Sequence, residues 1–364
     1  NGQLAAVTDA FDNVTAIVRD AEGNPTEIVA SGGQKTYLKV NANGYLSSIS
    51  CPYEIPINLS YGNGNLLTMF SDHKGNVYRF SYDEMGLLIK DENPAGGFTE
   101  LSRTKPDKGY QVNVKTAEGR KSIYKVENIP GVGTRMINTD SAGGKTIMEV
   151  YKNGTRNVTY PDGTVAVMLS KPDPRPGIEM RAPFTGEFLI TTPKGLVSTI
   201  TKERSLEFAD GDANNLFNIT KITDKVINNG NTYTTTYELD KVGKKVIVTD
   251  LTPLGRQKVS TLDWYGRIEK VSIDGLEPTV YSYDEKGRLI KIQKGEQSLG
   301  CIYDNMNRLI SLTDAEGAEF RYTYNDADVL KSITMPGGQT YAFSNDFNGN
   351  VTEITMPGGE KHQL

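Results

Sequence analysis

Aromatic residues alternate with polar ones in short runs: Tyr78-Arg79-Phe80-Ser81-Tyr82, Tyr281-Ser282-Tyr283, Tyr322-Thr323-Tyr324 and Tyr341-Ala342-Phe343. A period of two puts the rings of each run on one face of a β-strand. Several runs lead into one polar phrase, Tyr283-Asp284-Glu285-Lys286-Gly287-Arg288-Leu289, which returns as Tyr303-Asp304-Asn305-Met306-Asn307-Arg308-Leu309 and Tyr324-Asn325-Asp326-Ala327-Asp328-Val329-Leu330. The glycine slot of the phrase falls at Gly266, Gly287, Asn307, Asp328 and Gly349, and more loosely at Gly23, Gly44, Gly64 and Gly86, about every 21 residues. This is an internal repeat. Asp or Asn stands three residues before the slot in every copy except that of Tyr61. Such a side chain bonds its own backbone two residues on, and Gly, Asn and Asp enter the left-handed region most cheaply, so the phrase predicts a bend between strands. Past the slot, apolar residues fall at plus two and plus five, as in Leu289 and Ile292 or Leu309 and Leu312. That spacing departs from alternation, and either a bulge or partial cover of both faces accounts for it.

A second bend recurs half a period later, at Gly33, Gly75, Gly97, Gly275, Gly295, Gly317, Gly338 and Gly359. Each repeat is therefore two short strands and two turns. Residues 1–100 carry the looser N-terminal repeats, and 261–364 carry the regular ones, ending mid-repeat at Leu364. Residues 101–260 lose the strict period and predict longer, irregular hairpins of the same sheet. Within them, 171–184 holds Pro172, Pro174, Pro176 and Pro183, the signature of an extended surface connection and a candidate boundary.

Composition agrees with an all-β chain: 37 Gly and 19 Tyr accompany a single Trp. The net charge of −5 is spread along the chain without a basic face, which argues against a nucleic-acid partner. No apolar run approaches the ~20 residues of a transmembrane helix, and no signal peptide is present in this chain. The two cysteines, Cys51 and Cys301, are too few and too separated for a disulfide framework; whether they pair is left open.

Candidate chemistry is sparse. His73 and His362 sit in no nucleophile or metal arrangement. Gly144-Lys145-Thr146 lacks the leading glycine of a phosphate loop, since Thr139 stands there. Asp210, Asp212 and Asn214 have the one-three-five spacing of a calcium loop, but Asn215 replaces its glycine and Lys221 its bidentate glutamate, which favours a plain polar turn. No catalytic, cofactor-binding or metal-ligating residue is assigned, and no cofactor is expected.

The phrases at Tyr283 and Tyr303, together with Phe347-Asn348-Gly349-Asn350-Val351-Thr352, Thr252-Pro253-Leu254-Gly255-Arg256 and Asp173-Pro174-Arg175-Pro176-Gly177, resemble the bacterial Rhs/YD-repeat family, which includes toxin-complex shells and is related to teneurins. The resemblance implies a repetitive antiparallel β-hairpin strip that spirals into a segment of a hollow β-shell. It also implies a non-catalytic, secreted or cell-surface scaffold that encapsulates or presents a C-terminal toxic or effector segment. The partners it implies are the remainder of the same polypeptide, meaning further YD repeats and that effector, or a partner shell chain. Two other readings stand beside it. One is an adhesion module for carbohydrate or a cell-surface protein; the other, less favoured, is a polysaccharide-active β-enzyme.

Overall fold

The computed structural model describes residues 2–52, 55–209, 213–326, 328–346 and 350–364. Among these, 32 strands alternate with tight turns, and the only helical elements are two short 3-10 turns, Asn63–Asn65 and Leu216–Asn218. The chain divides into two compact units, Asn1–Gly97 with Thr279–Leu364, and Phe98–Pro278.

In the first unit most strands have five or six residues, as in Val77–Tyr82, Thr279–Tyr283, Leu289–Lys294 and Leu309–Thr313. Each pairs antiparallel with the strand that follows it in the chain. The alternation in sequence becomes alternation in burial: Tyr78, Phe80 and Tyr82 are half-buried, while Arg79 and Ser81 point to solvent. Phe70 on the neighbouring strand stacks on Tyr78, centroids 4.4 Å apart, and reaches Phe80 at 6.1 Å. Such cross-strand pairs are the unit of stabilisation in a sheet with little fully enclosed core. Among the described residues only Val158, Ala166 and Ile219 are buried apolar side chains.

The phrase turns and most second bends are three-residue hairpin loops, a type I turn closed by a left-handed residue, whereas the bend at Gly295 is a two-residue loop with Lys294 facing Gln297. In the phrase turn, Asp284 N donates to Arg288 O at 2.9 Å and Gly287 N to Asp284 O at 3.0 Å. In the second bend, Asp314 N donates to Ala318 O at 2.9 Å and Gly317 N to Asp314 O at 3.1 Å. The phrase turns carry one further feature, a register shift directly beside them. Ile302 faces Ser311 but Tyr303 faces Leu309, which leaves Ile310 without a partner position. The same shift lies at Ser60/Tyr61, Ser81/Tyr82, Ser282/Tyr283 and Thr323/Tyr324. A bulge therefore explains the plus-two and plus-five spacing: Leu309 and Leu312 return to one face because Ile310 is the extra residue.

The second unit has longer strands, among them Glu179–Thr191 of 13 residues and Val197–Phe208 of 12. The proline-rich stretch 171–184 lies inside this unit. It forms the irregular end of the hairpin between Val165–Asp173 and Glu179–Thr191, and Pro172 and Pro183 fall within those strands. Register shifts at Leu169/Ser170 and Lys171/Asp173 mark where the ladder departs from regular pairing, the positions at which a sheet tolerates proline.

Candidate functional site

The repeated phrase builds one side-chain arrangement over and over. Asp304 Oδ1 accepts from the backbone N–H groups of Met306 and Arg308, both at 2.9 Å, and its Oδ2 accepts from Arg308 Nε at 2.7 Å. Asp284 does the same with Lys286 and Arg288. Burial alone raises the pKa of both carboxylates, but the converging N–H groups and the guanidinium outweigh it and hold each below the ordinary range. The tyrosine that precedes the first residue of each of these turns, Gly62, Asp83, Asp304 and Asn325, reaches back one repeat. Tyr303 Oη donates to Leu289 O at 3.0 Å, Tyr324 to Leu309 O at 2.7 Å, Tyr61 to Leu46 O and Tyr82 to Leu67 O at 2.8 Å. Burial pushes the Tyr303 and Tyr324 phenols up.

The arginine reaches forward one repeat. Arg288 lies over the Tyr303 ring at 4.7 Å, and Arg308 over Tyr324 at 4.9 Å, a cation–π geometry. Each also meets the next slot residue: Arg288 Nη1 donates to Asn307 Oδ1 at 2.9 Å and Arg308 Nη1 to Asp328 Oδ1 at 2.7 Å. Asn307 and Asp328 hold φ of 65° and 62° where other copies have glycine. Their side chains offset that conformational cost by accepting the guanidinium, which a glycine cannot do.

A second cluster lies in the second unit around Asp173, 1% exposed. Its carboxylate accepts from Arg175 N and Nε on one oxygen, at 2.9 and 2.8 Å, and from Arg175 Nη2 and Arg204 Nη1 on the other, at 2.8 and 3.0 Å. Arg204 then grips Asp224 through Nε and Nη2 at 2.6 and 2.7 Å. The Arg175 hydrogen bonds bring Asp173 down to about 2 against the opposing effect of burial. In the sequence Asp173 stands out only within a phrase of the family resemblance. Its position between Pro172 and Pro174 with Arg175 two residues on was a local signal, but Arg204 and Asp224 come from distant strands and carry none.

Other residues singled out in the sequence resolve simply. His73 sits in an exposed turn with Nδ1 2.6 Å from Ile55 O. Gly144 begins the strand-flanking end of an ordinary bend closed by Asp140. Cys51 and Cys301 form no disulfide, and burial raises the Cys301 thiol. Asp210 and Asp212 lie outside the described residues. Among the described residues no group of His, Cys, Asp and Glu is placed to hold a metal ion, and no helix is long and apolar enough to cross a membrane.

Within the first unit the second bends of the N-terminal repeats meet the phrase turns of the C-terminal ones along a seam. Asn13 Nδ2 donates to Lys286 O at 3.0 Å, Gln34 Nε2 to Met306 O, and Asn307 Nδ2 to Ser31 Oγ at 3.2 Å; Lys74 lies 3.8 Å from Asp346. These partners are 272 to 276 residues apart, close to a whole number of repeats, so the two rows of turns stay in phase. Two cavities of about 520 and 560 Å³ open along the seam. The first is lined by Thr15, Arg288 and Tyr303, the second by Thr36, Arg308 and Tyr324.

The sequence profile of the Teneurin YD-shell family matches residues 1–364 in full. The chain belongs to this family. It is 24% identical to Teneurin-m of Drosophila melanogaster, over 94% of this chain and 14% of that one, and 25% identical to Teneurin-1 of Homo sapiens, over 95% and 12%. It thus spans about a seventh or less of these teneurins. Among solved structures it is similar to a chain of the Photorhabdus luminescens Tc holotoxin pore, at 13% identity and a TM-score of 0.39, covering 97% of this chain and 22% of that one. A TcdB2–TccC3 structure matches at 10% identity and a TM-score of 0.25, covering 99% and 32%. In this YD-shell chain the tyrosine and arginine of the phrase join one repeat to the next, and the Asp fixes the turn that carries the arginine.

Proposed function

We propose that this chain is a non-catalytic scaffold, a segment of a YD shell that encloses or presents an effector segment of its own polypeptide or of a partner chain, in a secreted or cell-surface protein. The observation that carries this reading is how the phrase spends its polar groups. Asp, Tyr and Arg, the residue types from which acid–base or electrophilic sites are built, are committed to turn N–H groups, a carbonyl one repeat back and a ring one repeat ahead. Groups held in that way stiffen a wall from one repeat to the next.

Limited proteolysis of the intact parent protein tests the proposal. A segment enclosed by the repeats resists cleavage until the strip is unfolded by denaturant, and becomes sensitive together with it. Cleavage of every other segment at the same rate before and after the repeats unfold would overturn the enclosing role and favour an exposed adhesion module.

A further inference from the structure

The second unit has a cavity of its own, on one face of the consecutive strands Val197–Phe208, Ile219–Asn228 and Asn231–Asp240. Register fixes what lines it. Lys202 faces Val226, which faces Tyr233; one two-residue step along, Arg204 faces Asp224, which faces Thr235. Glu203 and Lys225 also face each other, but alternation turns their side chains to the opposite side of the sheet. Phe184 closes the end beside Arg204, whose guanidinium carbon is 5.9 Å from the ring. The cavity holds about 250 Å³. That is room for about eight water-sized groups, which suits a single amino-acid residue.

The charges on this face cancel except at one place. Asp173 and Asp224 are met by Arg175 and Arg204, and Asp250, which faces Thr235 from the next strand, is met by Lys258 at 2.8 Å. Lys202 is exposed and, among the described residues, meets no carboxylate. Among the same residues no group bonds the hydroxyls of Tyr233 and Tyr237, and no cation covers their rings. Asp224 uses two of its roughly four acceptor positions on Arg204, at 2.6 and 2.7 Å, and has the others to offer. A free cation and a part-free acceptor thus stand at strand positions about 6.7 Å apart, with the apolar surface of Val226 and Tyr233 beside the cation. An inorganic anion would use the cation and leave the rest. An extended peptide keeps the same two-residue step. With its terminal carboxylate at Lys202, the N–H of the next residue inward comes level with Asp224, and the last side chain lies against Val226 and Tyr233. We propose that this cavity binds the C-terminal end of a peptide chain whose last residue is apolar, through Lys202 on the carboxylate, Tyr233 and Val226 on the side chain, and Asp224 on the preceding N–H. This goes beyond the scaffold reading and stands without it.

The test is calorimetric titration of the full chain with acetylated alanyl-alanyl-leucine as the free acid, the same peptide as its amide, acetylated alanyl-glutamyl-leucine amide, and glucuronate. The free acid should bind saturably at one site and at least tenfold more tightly than its amide, which lacks the charge that Lys202 meets. Lys202→Gln should weaken the free acid at least fivefold and Tyr233→Ala severalfold, both with the melting temperature unchanged, since both side chains are exposed. Lys225→Gln, on the opposite face, should leave binding as it was. Should a variant fold poorly, the comparison of acid with amide on the wild type decides alone. Absence of saturable binding, equal affinity for acid and amide, equal affinity for the internal glutamate, tighter binding of glucuronate, or equal effects of Lys202→Gln and Lys225→Gln would each overturn the proposal.

Discussion

At the scale of single residues, the decisive quantity is how completely a charge is enclosed. Asp173 is fully buried and accepts hydrogen bonds from Arg175 and Arg204, so Asp173→Asn takes the carboxylate from the Arg175 guanidinium and leaves Arg204 with Asp224 alone. Breaking a buried pair from one side costs about 3 kcal/mol, and chemical denaturation should show a loss of that order. The same carboxylate gives a pH signature. Its folded pKa of about 2 lies below its ordinary value, so its contribution is complete above that value and fades as pH falls from about 4 through 2. Denaturation of the wild type should weaken across that window by roughly 2 kcal/mol more than that of Asp173→Asn. Arg308 and Asp328 are partly exposed, and a double-mutant cycle with Arg308→Met and Asp328→Asn should give a coupling of only about 0.5 to 1 kcal/mol.

At the scale of elements, the phrase turn is the part most tightly specified. Gly287 has a φ of +81°, and a Cβ there would lie 2.8 Å from the Phe11 ring. Gly287→Val is therefore strained in backbone and crowded in space, and thermal melting should show a loss above about 2 kcal/mol. Lys291, exposed in the strand Leu289–Lys294, should tolerate Ala within about 0.5 kcal/mol. Equal shifts for the two variants would contradict the left-handed turn. The turn was legible because Asp, the slot and their spacing are consecutive in sequence. The bulge was only half legible: the spacing of Leu309 and Leu312 demanded an irregularity, but pairing with Cys301 and Tyr303 was needed to place it at Ile310.

At the scale of the whole molecule, the seam is the testable feature. A Cβ on Gly32 would sit 2.7 Å from the Met306 carbonyl oxygen, so Gly32→Val should part the two rows of turns. Hydrogen exchange should then quicken at 30–34 and at 304–308 together, while the strand Leu88–Glu92 keeps its protection. Faster exchange at only one of the two turns would show that they do not hold each other. The sequence alone determined the all-β class, the 21-residue unit, both bends and the family, because each rests on residues within half a repeat of one another and on backbone preferences that act locally. Only the tertiary structure decided what those units meet. The Arg204–Asp173 contact spans 31 residues and the seam spans 272 or more, and a repeat in sequence specifies neither, since every copy of a turn offers the same local signal and only packing selects which copy faces which.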